Sequence, residues 1–261
     1  QTSGSTGIPF RFFLDANMLS RRRAIYRRLI EWSGKTDSDI VVNLMPRIHP
    51  GLEKECLFIN CNDPAELEQN LEAFFNFCKD KSIILQSRPS YLLRLAQLLD
   101  GSTRKPHFKS FISYTEQLIP EIRAYIENVF SAPVFDYYAS YEITAIAQEC
   151  EIHEGLHVNC EWVNVEIIDN ANNAVKFSEI GDIVLTSLDN EVMPFIRYKI
   201  GDQGYWLEKP CACGRTLPRI VVEGRSVISF LLPNGRLGYF ATLIHPIAIL
   251  VSKIRQYQVI R

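Results

Sequence analysis

The strongest constraint on the fold is an alternation of strand and helix signals between residues 82 and 140. Two short apolar runs, SIILQS and KSFIS, are separated by PSYLLRLAQLLDG, in which apolar residues recur at helical spacing before a closing glycine. PEIRAYIENVF then predicts a second helix, and PVFDYYAS predicts a third strand. This order is typical of βαβ units, so we expect an α/β fold with a parallel sheet.

Two further helices and a region of different texture complete the predicted elements. DANMLSRRRAIYRRLIEWSG predicts an amphipathic helix ended by Gly34, and NDPAELEQNLEAFFNFCKD predicts another helix. From Leu156 onward, the runs HVNCEWVNVEIID, GDIVLTSL, PFIRYKI and RIVVEG are broken by Asn, Asp, Gly and Pro. We therefore expect the βαβ-type parallel sheet region to be followed by a mostly β region.

Charge and composition argue against several classes of function. The 261 residues carry a formal net charge of −2, which attracts neither nucleic acid nor a membrane surface in general. No apolar run approaches the length of a membrane span, and no secretory signal is visible. The first helix carries a basic run that is interpreted as a solvated face rather than a nucleic-acid interface: Arg21, Arg22, Arg23, Arg27 and Arg28. Seven cysteines without the spacing of a disulfide framework favour a reducing, cytoplasmic setting.

The chain opens with a polar, glycine-rich stretch, QTSGSTGIPF. Composition leaves two interpretations open, because such a stretch is typical of a flexible linker and also of a loop that binds phosphate through N–H and hydroxyl groups. The stretch lacks the Gly-Lys-Ser/Thr ending of a Walker loop.

A set of soft metal ligands recurs in the second half of the chain. Cys211 and Cys213 flank one residue on a predicted tight turn, and Cys150 lies upstream with His153 and His157. Three thiolates and one imidazole suit tetrahedral zinc in a closed, structural site. From the residues alone, a set of buried thiols without metal is an equal alternative, and either histidine is a candidate fourth ligand.

Four segments, in chain order, resemble motifs of the adenylate-forming enzymes, the superfamily of acyl-CoA synthetases, luciferases and peptide-synthetase adenylation domains. TSGSTGIP resembles the phosphate-binding loop, FDYYASYE the aromatic-Gly-x-Thr-Glu motif, MPFIRYKIGD the strand with the ribose-binding aspartate, and EGRS the entrance to the Gly-Arg hinge. The phenylacetate–CoA ligase and CapK-like branch is the most similar, since MP-x-IRY-x-x-GD, C-x-CGRT-x-PRI and an upstream EC…GLH segment occur here in the same order. The resemblance favours the phosphate loop over the linker and implies the core of such an enzyme's large domain.

The resemblance also implies roles for particular residues. Tyr138 would stack on adenine, Asp136 would accept from its amino group, and Asp202 would accept from both ribose hydroxyls. Glu142, holding Mg²⁺, and Arg225, contacting ribose or phosphate, are the predicted catalytic residues. The remaining nucleotide-binding candidates lie in the phosphate loop and the adenine motif: Thr2, Ser3, Gly4, Ser5, Thr6, Gly7, Tyr137, Ala139 and Tyr141. For zinc, the GLH segment selects His157, so the predicted ligands are Cys150, His157, Cys211 and Cys213.

The activity implied by the resemblance is an ATP-dependent activation of a carboxylate, expected to be an aryl acid. An acyl-adenylate forms first, and its acyl group then passes to coenzyme A. The expected partners are therefore a small-molecule carboxylate and coenzyme A, with oligomerisation left open. The alternative is a non-catalytic homologue that binds a nucleotide or an acyl group, or a fragment that needs further terminal regions.

Several positions depart from the family pattern. Ala139 stands where the family has glycine, and Tyr141 stands where a threonine precedes Glu142. Ile8 occupies a position where lysine is frequent, and SVISF follows Arg225 where the family has an acidic hinge residue. These departures keep the non-catalytic alternative in place.

The motifs divide the chain into three expected segments. Residues 1–150 form the α/β core with the phosphate loop and the adenine motif, and residues 151–224 form a β-rich subdomain with the zinc site and Asp202. Residues 225–261 form the hinge and the beginning of a truncated C-terminal subdomain, whose first strand is IRQYQVIR. The resemblance implies a further region before the opening loop and a catalytic lysine beyond the end of the chain.

Overall fold

A computed structural model describes residues 10–44, 57–59, 71–225, 230–231 and 237–238. Its helices are α1 (Ala16–Trp32), α2 (Leu71–Cys78), α3 (Pro89–Leu99) and α4 (Pro120–Phe130). Its strands are β1 (Asp39–Leu44), β2 (Leu57–Ile59), β3 (Ser82–Ser87), β4 (Phe108–Tyr114), β5 (Val134–Ser140), β6 (Thr144–Gln148), β7 (Leu156–Val158), β8 (Val163–Ile168), β9 (Gly181–Ser187), β10 (Tyr198–Leu207), β11 (Arg219–Arg225), β12 (Phe230–Leu231) and β13 (Leu237–Gly238). Each element predicted between residues 82 and 140 is present, and of the helix predicted over NDPAELEQNLEAFFNFCKD the described part is α2.

Two compact units make up the chain. The first holds the described residues of Gln1–Trp32 and Asp136–Leu237, and the second holds those of Ser33–Phe135 and Gly238–Arg261. These units differ from the segments 1–150, 151–224 and 225–261, which follow the positions of motifs along the chain. The three-segment division stays a prediction.

The second unit is the predicted parallel α/β sheet. β1 pairs in parallel with β2 and with β3, and β3 pairs in parallel with β4. Pro89 and Pro120 begin α3 and α4, each after a residue in extended conformation, because proline is tolerated at the first helical position and disfavours helix before it. Leu85, Phe111 and Leu95 are buried in its hydrophobic core, so the α/β prediction is confirmed.

The first unit is mostly antiparallel β with one long helix. Its strands lie in the order β5-β6-β7-β11-β10-β9-β8, and the hairpins β5–β6, β8–β9 and β10–β11 are antiparallel. The strand β10 is the longest at ten residues and pairs on one side with β9 and on the other with β11. The expectation of a mostly β region after Leu156 is confirmed.

The helix α1 corrects one detail of the sequence interpretation. Met18, Ile25 and Leu29 are buried at helical spacing, and Gly34 follows the helix with φ of +91°, as predicted for its end. Arg22 belongs to the buried face and is only 5% exposed, so the description of the basic run as wholly solvated is wrong at this residue. Arg21 forms an ion pair with Asp189, which a periodicity argument cannot foresee.

Among the described helices, none combines the length and the apolar character that crossing a bilayer requires.

Candidate nucleotide site and cysteine–histidine cluster

The β5–β6 hairpin carries the adenine motif. Tyr138 lies opposite Ala147 in the antiparallel register, and the Ser140 hydroxyl accepts a hydrogen bond from the Ile143 N–H within the connecting turn. Glu142 lies on this turn and is only 6% exposed. The hairpin therefore brings the end of β5 and a buried carboxylate close together.

The β10–β11 hairpin, which β7 separates from β5–β6 in the sheet, carries the predicted ribose aspartate. Asp202 and Arg225 are register partners, and the Arg225 Nε atom lies 3.0 Å from Asp202 Oδ1. An Arg225 terminal nitrogen also donates to the Ile200 carbonyl at 3.0 Å. Gly201 takes a φ of +86°, and a Cβ there would lie 3.2 Å from the Arg225 guanidinium, so glycine gives the guanidinium room to approach Asp202.

Two tyrosine hydroxyls join these hairpins into one polar cluster. The Tyr138 hydroxyl donates to Asp202 Oδ2 at 2.7 Å, and the Tyr198 hydroxyl donates to Glu142 Oε1 at 3.2 Å. Four predicted residues are thereby brought together: Tyr138, Glu142, Asp202 and Arg225. Tyr198 was missed by sequence reasoning, although its place two and four residues before Ile200 and Asp202 puts it on the same strand face.

Burial dominates the electrostatics of this cluster. Burial raises the pKa of Asp202, and the Arg225 guanidinium and the Tyr138 hydroxyl oppose that rise. Burial and then Asp202 raise the pKa of Tyr138 well above its usual value, and burial with Glu142 raises the pKa of Tyr198 to about 12. Both phenols are therefore protonated donors at neutral pH.

The other candidates in the motif lie elsewhere. The Asp136 carboxylate accepts from the adjacent Tyr137 N–H at 3.1 Å, and the Asp136 N–H donates to the buried Glu149 carboxylate at 2.8 Å. Tyr137 is buried, with Arg22 and Arg28 of α1 as electrostatic neighbours, whereas Tyr138 faces Asp202. Ala139 and Tyr141 are half-buried, and Tyr141 directly precedes Glu142.

Several candidates fall outside the described residues. They are the phosphate-loop residues Thr2, Ser3, Gly4, Ser5, Thr6 and Gly7, with Ile8 after them, most of the SVISF segment after Arg225, and IRQYQVIR.

A second cluster lies in the same unit and contains only soft ligands. The Cys150, His157, Cys211 and Cys213 ligand atoms all lie within 4.8 Å of one another. Cys150 and Cys211 have their sulfurs 3.7 Å apart, and Cys213 Sγ lies 3.5 Å from His157 Nε2. Tetrahedral zinc with its usual bond lengths gives about 3.8 Å between two sulfurs and about 3.5 Å between sulfur and nitrogen. These two separations match a zinc tetrahedron, and all four ligand atoms are close enough together to be candidates for one ion.

Local backbone structure explains why these ligands meet. Cys150 lies two residues after the end of β6, and His157 lies on β7 opposite Arg219 of β11. The two other cysteines lie on the turn between β10 and β11. Gly214 closes this turn with φ of +79° and donates its N–H to the Cys211 carbonyl at 3.1 Å. The geometry decides between the two histidines, because the His153 ring pairs with Glu149 instead.

The surroundings of the cluster orient its ligands. His157 is fully buried, and its Nδ1–H donates to the Leu217 carbonyl at 3.2 Å, which leaves the Nε2 lone pair facing Cys213. Burial opposes ionisation of Cys213, but hydrogen bonds from Arg215 and the neighbouring thiols outweigh it and lower the pKa of Cys213 to about 7. The Trp32 ring packs edge-on against the His157 ring, and the Arg215 guanidinium lies over the Trp32 ring. These are features of an ordered thiolate–imidazole site.

Comparison with known proteins defines the fold class first. The fold is shared with solved CoA ligases. A 2-hydroxyisobutyryl-CoA ligase, solved in the postadenylation state in complex with 2-HIB-AMP, aligns with a TM-score of 0.79 at 21% identity over 96% of this chain and 56% of that chain. The anthranilate CoA ligase AuaEII, in complex with anthranoyl-AMP, aligns with a TM-score of 0.71 at 11% identity over 97% and 51%.

The sequence is similar to that of phenylacetate–coenzyme A ligases, which confirms the resemblance drawn from the motifs. The enzyme of Pseudomonas putida is 28% identical over 161 residues, and that of Thermus thermophilus is 26% identical over 144 residues. The matches cover 59% and 52% of this chain but only 36% and 32% of those proteins, so the chain spans a part of their length. No model of a protein family matches the chain. The CapK-like part of the resemblance stays a prediction.

Proposed function

We propose that this chain is core sequence of an ATP-dependent carboxylate–CoA ligase, with an aryl acid as its substrate. The observation that carries the proposal is that Tyr138, Glu142, Asp202 and Arg225 form one polar cluster, in which the two carboxylates are buried. The motifs that contribute these residues are far apart in sequence, with 64 residues between Tyr138 and Asp202. The similarity to phenylacetate–coenzyme A ligases supports the same reaction class.

In this proposal the cluster holds the nucleotide. Asp202 accepts from the ribose hydroxyls, since a carboxylate offers about four lone-pair sites and Tyr138 and Arg225 use two of them. The Tyr138 ring, held by its own hydroxyl, provides a flat surface for adenine, and Asp136 lies two residues earlier to accept from the adenine amino group. The half-exposed Arg225 contacts ribose or phosphate.

The chemistry is two successive substitutions. A carboxylate oxygen of the acid attacks the α-phosphorus of ATP, and the bond from that phosphorus to pyrophosphate breaks. The coenzyme A thiolate then attacks the acyl carbon, and AMP leaves with the electron pair of the broken C–O bond. Such a site contributes by positioning and by neutralising charge, without a covalent nucleophile of its own.

Two metal ions belong to the proposal. Glu142 offers a buried carboxylate, a ligand type that suits Mg²⁺, which would neutralise charge on the phosphate oxygens. Cys150, His157, Cys211 and Cys213 would hold one structural Zn²⁺, supported by their grouping within 4.8 Å and by two separations that match a tetrahedron. A cytoplasmic setting is proposed with them, because the cysteines among the described residues are free thiols.

A second candidate function is nucleotide binding without turnover. It is favoured by Tyr141, a bulky half-buried side chain directly before Glu142 where the family has a small threonine. The two candidates share the binding site and differ in whether pyrophosphate is released.

Asp202→Asn in the full-length protein tests the proposed site. The variant keeps the size of the side chain but removes its charge, and a hydrogen bond to a charged group contributes about 1.5–3 kcal/mol, so AMP affinity measured by calorimetry is expected to fall roughly 10- to 100-fold. Asp169→Asn is the matched control, because Asp169 lies in the turn after β8 and its carboxylate accepts from the Ala171 and Asn173 N–H groups. Unchanged AMP affinity in Asp202→Asn would reject the site.

Pyrophosphate release across a panel of aryl acids then separates the ligase from the non-catalytic alternative.

A further inference from the structure

Glu142 depends on one tyrosine for its orientation. Within the part of the chain that the structure describes, the Tyr198 hydroxyl is the side-chain donor to the Glu142 carboxylate, at 3.2 Å from Oε1. The nearby Arg225 guanidinium is directed instead to Asp202 and to the Ile200 carbonyl. A buried carboxylate with a single donor can rotate about its last torsions, so this hydrogen bond selects which way Glu142 points.

Aromatic packing holds Tyr198 in place. Its ring lies 5.2 Å from that of Phe195, which is buried. Phe195 in turn contacts Phe10 at 6.2 Å and Phe12 at 6.3 Å, both edge-to-face. Tyr198 is therefore fixed by the protein itself and needs no ligand to orient it.

Each of the two tyrosines in the cluster donates a hydrogen bond to a different carboxylate. Tyr138 donates to Asp202, the proposed ribose acceptor, and Tyr198 donates to Glu142, the proposed magnesium ligand. Removing either hydroxyl deletes one hydrogen bond of the same kind. The effects on nucleotide binding are expected to differ, because only Glu142 is proposed to bind the metal.

We propose that Tyr198 is a positioning residue for magnesium-dependent nucleotide binding, which acts by holding the Glu142 carboxylate toward the metal. This inference rests on the proposed function. Tyr198 touches neither the reacting atoms nor the nucleotide in this assignment, and its effect passes through Glu142.

Tyr198→Phe in the full-length protein tests this role against Tyr138→Phe. Calorimetry measures AMP binding without metal and ATP binding over a series of Mg²⁺ concentrations. In Tyr198→Phe the Mg²⁺ concentration for half-maximal ATP binding is expected to rise about fivefold, as for loss of one typical hydrogen bond, with AMP affinity unchanged. In Tyr138→Phe, AMP affinity itself is expected to fall by a similar factor. Tyr205→Phe, on the same strand and outside the cluster, is the matched control.

The outcomes separate the possible failures. An equal loss of AMP and Mg²⁺-dependent ATP binding in Tyr198→Phe would indicate a general structural role and overturn the inference, as would an unchanged Mg²⁺ dependence. A wild-type protein that binds neither AMP nor ATP would overturn the proposed function, and the role of Tyr198 with it. A rise in the KM for Mg²⁺–ATP with little change in kcat at saturating Mg²⁺ supports the inference.

Discussion

Replacing one cysteine of the soft-ligand cluster should remove a bound metal and much of the stability of its unit. We choose Cys213→Ser, because a hydroxyl is a far poorer ligand for zinc than a thiolate, and Cys160→Ser as the matched control, because Cys160 is an exposed thiol outside the cluster. The 3.7 Å and 3.5 Å separations match those of a zinc tetrahedron, so these two ligand pairs already have the spacing that the metal requires.

The magnitude follows from linkage between metal binding and folding. A metal present at 1,000 times its dissociation constant stabilises the folded state by about 4 kcal/mol. For a chain of this size, each kcal/mol shifts Tm by roughly 2–4 °C, so Cys213→Ser should lower Tm by roughly 10 °C. Treatment of the wild-type protein with a strong chelator should lower Tm by a similar amount and leave the Tm of the variant nearly unchanged.

Metal analysis of protein purified without added metal is the direct assay. About one equivalent of zinc per chain is expected for the wild type and for Cys160→Ser, and little for Cys213→Ser. Less than about half an equivalent in the wild type would refute the reasoning, as would full zinc retention in a Cys211→Ser/Cys213→Ser variant.

Loss of the metal should also weaken nucleotide binding. Glu149 adjoins Cys150 and accepts from the Asp136 N–H, and the Cys211–Cys213 turn joins the two strands that carry Asp202 and Arg225. The metal would therefore secure one end of both hairpins that form the nucleotide cluster. AMP affinity unaffected by complete metal removal would contradict this coupling.

Two further predictions concern the stability of the separate units. Burial opposes ionisation of Asp39, yet hydrogen bonds from Lys109 and neighbouring groups lower its pKa. The stabilisation of the folded state by its charged form is therefore present above about pH 4 and is lost as pH falls. Asp39→Asn should flatten the acid limb of a stability–pH profile, and an unaltered limb would contradict this. In Gly204→Ala the new Cβ would lie 2.3 Å from the Val221 carbonyl oxygen, so the β10–β11 pairing must shift and Tm should fall. An unchanged Tm in calorimetry would contradict this prediction.

The local elements of this protein could be predicted from sequence because their signals are local. Helical spacing in PSYLLRLAQLL and PEIRAYIENVF, and the prolines that begin both segments, predict α3 and α4 without reference to the rest of the chain. The ligand types of the soft cluster are equally visible, since Cys and His are rare and their chemistry is specific. The β-rich texture after Leu156 likewise predicted the character of that region.

The tertiary structure decided which of these residues meet. Tyr138 and Asp202 are 64 residues apart, and their contact exists only because the β5–β6 and β10–β11 hairpins bring them to one place. The family resemblance selected His157 over His153 for the soft cluster, but only the fold shows that Tyr198 reaches Glu142. Arg22 is buried for the same reason, since a helix face is solvated or covered according to what packs on it. Sequence patterns determine conformation over a few residues, whereas a binding site is a set of distances between segments that only the packed chain defines.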